Sequence, residues 1–156
     1  MVLKEIKFKG ERAEILVEAN ECLTPEERVY LKRLLYEKYP DLKNHACRNS
    51  HGPTFDDCVL CTSIPHILEH VILEELSKGA TRQGSAVALR NASIPPDSKS
   101  TSLFFPVKKN LFVAKTTKLG GGVAKIELKY YDDISTLQAI KSATSSLNEL
   151  LKACIE

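Results

Sequence analysis

No stretch of this 156-residue sequence reaches the roughly 18 consecutive apolar residues of a membrane span. The first ten residues, MVLKEIKFKG, carry charges where a signal peptide has an apolar run, so a cytoplasmic protein without a membrane partner is expected. A strong charge of one sign is missing too. With 22 basic and 20 acidic residues the net charge is only +2, and the lysines lack the interleaved aromatics of a single-strand binder. No nucleic-acid partner is expected. Nor is there a disulfide framework: the five cysteines are an odd number, and Cys22 and Cys154 sit in apolar-patterned segments, which fits a reducing compartment. No internal repeat divides the chain. What remains, 43% hydrophobic and 27% charged residues, is the make-up of one domain over residues 1–156 that can bury a core.

Periodicity gives the elements. VLKEIKFKG and AEILVEA alternate with period two and read as a strand pair joined through Gly10 and Glu11. A helix follows from Thr24, with Pro25 in its first position and Glu27 completing a capping box. Val29, Leu31, Leu34 and Leu35 fall at helical spacing, and Pro40 stops the run. A second helix is predicted from about Ile64 to Ser77, capped by Ser63 and ending near Gly79. GSAVALR, TSLFFPV and NLFVAKTT read as short strands, and KLGGG as a turn into VAKIELKYY. In that last strand Ala124, Ile126, Leu128 and Tyr130 occupy one face. A final helix places Ile134, Leu137, Ile140, Leu147, Leu150 and Leu151 together. The predicted class is α+β: an antiparallel or mixed sheet packed against about three helices.

Chemistry concentrates in one region. All four histidines fall between positions 45 and 70, and SIPHILEHVILEEL carries His66, Glu69 and His70 on the second helix. Residues 66 and 70 are one helical turn apart, a spacing at which one zinc ion takes a nitrogen from each. Glu69 stands where a general base reaches water without ligating the metal, and His-x-x-Glu-His is the inverted zinc-peptidase pattern. The irregular segment before the helix and the helix itself offer a third ligand: His45, Cys47, His51 or Glu74. His45 is preferred, because Glu74 stands some 12 Å along the helix from His66 at about 1.5 Å per residue. Glu74 can instead act behind the ligands by orienting His70. A different use of the region is a structural zinc on Cys58 and Cys61 with Cys47, His45 or His51. A third reading is a metal-free scaffold on which the histidines are polar residues facing water.

YPDLKNHAC, IPHILEHVILEEL, GATR and AKIELKYYDDISTLQAIKSATSSLNELL, in that order, resemble the N-terminal domain of cyanophycin synthetase. The resemblance runs from about residue 39 to the end, on Tyr39, Pro40, Leu42, His45, Cys47, His66, Glu69, His70, Glu74, Gly79, Thr81, Arg82 and Tyr130. Residues 84–120 and the Cys58–Cys61 pair depart from the family pattern. The resemblance implies a metal-dependent hydrolytic site that cuts cyanophycin, a poly-aspartate bearing arginine side groups, to make primers. It implies zinc as cofactor and a peptide-like polymer as substrate, with Arg82 on a substrate carboxylate and Asp56, Asp57, Glu75 or Asp132 lining the approach. A non-catalytic module that binds the polymer or a partner synthetase would keep the same residues.

Overall fold

The computed structural model describes residues 1–19, 22–48, 50–83, 114–130 and 132–155, and of residues 79–83 the backbone alone. Strands β1 (Val2–Lys9) and β2 (Arg12–Glu18) form the first hairpin. Lys9 pairs with Arg12, so Gly10, at φ 59, and Glu11 make a two-residue turn. Strands β3 (Ala114–Gly120) and β4 (Val123–Lys129) form the second. The sheet order is β1-β2-β4-β3 with every neighbouring pair antiparallel, which resolves the predicted sheet type among the described residues.

The second hairpin turns on Gly121 and Gly122, at φ 60 and 78, a left-handed pair that non-glycine residues adopt only under strain. Lys118 and Leu119 therefore stay in strand, whereas the sequence placed them in the turn. GSAVALR, TSLFFPV and the start of NLFVAKTT lie outside the described residues.

Helix α1 (Pro25–Lys38) starts as expected: Glu27 N donates to Thr24 Oγ1 at 3.2 Å, and Thr24 N donates to the Glu27 carboxylate at 2.7 Å. Leu31 and Leu35 are buried, but Val29 is 58% exposed. Residues 29 and 31 project about 200° apart on a helix, so burying one turns the other to solvent. A 3-10 turn (Pro40–Asn44) and a one-turn helix α2 (Phe55–Cys58) follow. Helix α3 (Ile64–Gln83) continues past the predicted stop. Gly79 costs a helix about 1 kcal/mol relative to Ala, which does not end it without a proline or a left-handed cap.

Helix α4 (Asp133–Ile155) buries Thr136, Ala139, Ile140, Ala143, Ser146 and Leu147. The predicted leucine-rich stripe is thus displaced: Ile134 is 69% exposed, and Leu150 and Leu151 are partly buried at the margin. Small side chains in the centre of that stripe let α4 approach its neighbours closely, and it packs on both α3 and α1. One sheet face supplies the other wall of the core: Ala13, Ile15 and Val17 from β2, with Ala124, Ile126 and Leu128 from β4. Helix α3 lies between, against β3 and β4 on one side and α4 on the other, with Ile67, Leu68, Val71 and Ile72 buried. No helix among the described residues is long and apolar enough to cross a membrane.

Candidate metal centre

The segment before α3 folds back on itself. Ala46 bridges Thr54, Cys47 N donates to the Pro53 carbonyl at 2.9 Å, and Phe55 N donates to the His45 carbonyl at 2.9 Å. Thr54 then caps α2, its N and Oγ1 both donating to Asp57 Oδ2 at 2.8 and 2.7 Å. The sequence carries this signal as Thr54-x-x-Asp57. Gly52 belongs to the same device, because a Cβ there would meet the Asp57 carboxylate at 2.4 Å. The loop is therefore braced at both ends, and it carries His45 and Cys47 to α3.

In extended backbone, residues two apart project to the same side. His45 and Cys47 both face α3 in this way, Cys47 level with His66 and His45 level with His70 and Glu74. His66 Nε2 and His70 Nε2 are 3.2 Å apart, and Cys47 Sγ is 3.5 Å from His66 Nε2. The ligand atoms of Cys47, His66 and His70 all lie within 4.8 Å of one another. A tetrahedral zinc with bonds of about 2.3 Å to sulfur and about 2.05 Å to nitrogen has N–N edges near 3.3 Å and N–S edges near 3.6 Å. The Cys47–His66 and His66–His70 separations match those edges. This cluster can hold a metal ion.

His45 sits behind it. Its Nδ1 is 3.4 Å from His70 Nδ1, the nitrogen facing away from the cluster, and its Nε2 is 2.9 Å from Glu74 Oε2. The structure thus sets Cys47, not His45, at the Nε2 atoms of the histidine pair, with His45 on the Nδ1 side of His70 and Glu74 on His45. On the far side, Thr62 Oγ1 meets His66 Nδ1 at 2.5 Å. One proton placement satisfies the chain of contacts from Thr62 to Glu74 with all three imidazoles neutral. Thr62 donates to His66 Nδ1, His66 Nε2–H to His70 Nε2, His70 Nδ1–H to His45 Nδ1, and His45 Nε2–H to Glu74. Phe55 closes the site, its ring centroid 4.3 Å from that of His70.

His70 is 2% exposed, Cys47 7% and Glu69 7%, so these side chains do not face water. Glu69 turns to the sheet, where Thr116 Oγ1 of β3 donates to its carboxylate. His51 is exposed and lies outside the cluster. Cys58 is buried against Cys47 at 3.7 Å, whereas Cys61 is exposed and donates to the Cys58 carbonyl at 3.3 Å. The Cys58–Cys61 pair forms no ligand cluster among the described residues. The side chain of Arg82 lies outside the described ones. The four acidic residues expected to line an approach each have a local partner. Asp56 pairs with Lys32 and Tyr36, Asp57 caps α2, Asp132 accepts from Ser135 N, and Glu75 accepts from Ser142.

Burial shapes the charges. It pushes His70 down to about 3, aided by His66 and His45, and holds His66 below its ordinary range, so both rings stay neutral; to ligate through Nε2, His66 would move its proton to Nδ1 and donate it to Thr62 Oγ1. Burial raises Glu69, with the Thr116 bond opposing. The bond from His45 holds Glu74 below the usual carboxylate range. Burial, then the neighbouring Cys47, pushes Cys58 up to about 12.

These shifts predict a pH dependence for the metal-free protein. Above the ordinary histidine value of about 6.5, folded and unfolded chains both hold His66 and His70 neutral. Below it the unfolded chain takes up protons that the folded chain refuses, so stability falls, by up to about 1.4 kcal/mol per pH unit for each such proton. Glu69, raised by burial, acts in the opposite sense, but only as pH falls toward and through its raised value. Urea unfolding at pH 7 and pH 5 should give the lower midpoint at pH 5, and an equal or higher midpoint there would refute the neutral buried pair.

Comparison with known protein families, curated proteins and solved structures gives no match. Fold and site together define an α+β domain with a largely buried cluster of two histidines from its central helix and one cysteine from the loop before it.

Proposed function

We propose that this domain holds a zinc ion on Cys47, His66 and His70 and hydrolyses an amide in a peptide-like polymer. The observation that carries the reading is the three ligand atoms within 4.8 Å of one another, with two of their separations at tetrahedral zinc edges. Three protein ligands leave a fourth position, the arrangement of catalytic rather than structural zinc. Zinc there supplies Lewis acidity, which polarises a carbonyl and makes water acidic enough to attack near neutral pH.

The chain's own residues divide the remaining work. Glu69 accepts the proton of the attacking water and passes it to the departing amine, and the raised affinity of its carboxyl for a proton suits both halves of that exchange. Thr116 fixes which oxygen of Glu69 is engaged. His45 and Glu74 orient His70, holding the proton on Nδ1 so that Nε2 is the lone-pair nitrogen. The substrate class follows from the resemblance to the cyanophycin synthetase N-terminal domain, with Arg82 as the group for a substrate carboxylate.

Elemental analysis together with hydrolysis of cyanophycin and acidic peptides tests this directly. Close to one equivalent of zinc and measurable cleavage are expected. Zinc without cleavage of any of them would leave a binding module, and no zinc would end the reading. Within the same experiment, Cys47→Ala should abolish tight zinc binding. His45→Ala should weaken it by about 10- to 100-fold, as removal of a ligand's supporting partner does, and His51→Ala should leave it unchanged. If His45→Ala were as damaging as Cys47→Ala, His45 would be a ligand itself.

A further inference from the structure

Cys58 adjoins the cluster without belonging to it. Its Sγ is 3.7 Å from Cys47 Sγ, and both side chains are buried. Each is rooted in braced backbone: Cys47 N on the Pro53 carbonyl beside the Ala46–Thr54 bridge, and Cys58 at the end of the helix that Thr54 and Asp57 cap. A disulfide needs the sulfurs at about 2.05 Å, a closure that side-chain rotation on two anchored neighbours can share. Cys47 therefore stands between two alternatives, His66 Nε2 at 3.5 Å on one side and the Cys58 thiol on the other.

We propose that Cys47 and Cys58 are a redox pair, which a peroxide closes into a disulfide that withdraws Cys47 from the metal ligands. The proposal rests on Cys47 being a zinc ligand. In the first step the Cys47 sulfur attacks one peroxide oxygen, the O–O bond breaks, the thiol proton leaves with the other oxygen as water, and Cys47 becomes a sulfenic acid. Next the Cys58 sulfur attacks the Cys47 sulfur, the S–O bond breaks, and a second water leaves with the Cys58 proton. Two thiols and one hydrogen peroxide give one disulfide and two waters. The disulfide sulfur is no longer a thiolate, so His66 and His70 alone remain to hold the ion. Bound zinc acts in reverse, by engaging the Cys47 sulfur and slowing its oxidation. In a reducing compartment the pair would rest as thiols and close only under peroxide stress. Peroxide would therefore switch off the zinc-dependent activity, and reduction would restore it.

The full-length protein, metal-free and zinc-loaded, is treated with hydrogen peroxide, alkylated and mapped by non-reducing peptide mass spectrometry, while released zinc is followed with a chromophoric chelator. The expected product is a Cys47–Cys58 linked peptide, formed faster without zinc. Zinc affinity should fall by more than about 100-fold on oxidation, beyond the loss of a supporting partner, and return after dithiothreitol. Cys58→Ser should bind zinc as the parent does, but under the same peroxide dose its Cys47 should stop at a trappable sulfenic acid and go on to sulfinic acid, with no linked peptide and with a zinc loss that dithiothreitol no longer restores. Absence of the linked peptide, or a Cys58–Cys61 link in its place, overturns the proposal. If that happens while Cys47→Ser still loses zinc, the redox pair fails and the zinc reading stands. A link formed at the same rate with and without zinc, with the metal retained, overturns the proposal together with the assignment of Cys47 as a ligand.

Discussion

Glu69→Gln is expected to keep its zinc and lose about 10²- to 10⁴-fold in hydrolysis rate, the usual worth of a positioned general base. Glutamine has the size of glutamate, and its carbonyl oxygen can still accept the Thr116 hydrogen bond, so the β3 contact survives the change. What disappears is the group that takes a proton. Because burial already disfavours the charge on Glu69, the neutral replacement should not lower stability near pH 7. Steady-state rates, zinc content and a urea midpoint measured on one preparation separate these effects. A variant that cleaves as fast as its parent would remove Glu69 from the mechanism and favour the binding module.

The second large effect belongs to the metal. Changing His66 and His70 together to alanine should take zinc from near one equivalent to none, since two of three ligand atoms are lost. The sheet and the α1–α4 packing do not depend on these side chains, so the circular dichroism spectrum should persist. The thermal shift that zinc confers on the parent should vanish; at zinc 100-fold above its dissociation constant that stabilisation is about 2.7 kcal/mol. Equal zinc in parent and variant would place the ion elsewhere, most directly on Cys58 and Cys61.

Local rules in the sequence determined much of this protein. Period two marked β1, β2 and β4, the Thr24–Glu27 capping box and Pro25 set the start of α1, and four-residue spacing put His66 and His70 on one face of α3. Each of these depends on residues within a turn or a pleat of one another. Where several positions were locally equivalent, the sequence had no means of choosing. Val29 and Ile134 fitted helical periodicity as well as their neighbours did, and only the placement of α1 and α4 against the core turned them outward. The hairpin glycines marked a reversal, but which two of them turn was settled by the β3–β4 register. The third position of the cluster was of the same kind. His45 and Cys47 lie two residues apart on one side of an extended segment, chemically able to fill the same role. The Ala46–Thr54 bridge fixes how far that segment slides along α3, bringing Cys47 to His66 and carrying His45 past the cluster to Glu74. A long-range backbone pairing has no short-range signature, so only the tertiary structure could decide which of the two meets the histidine pair.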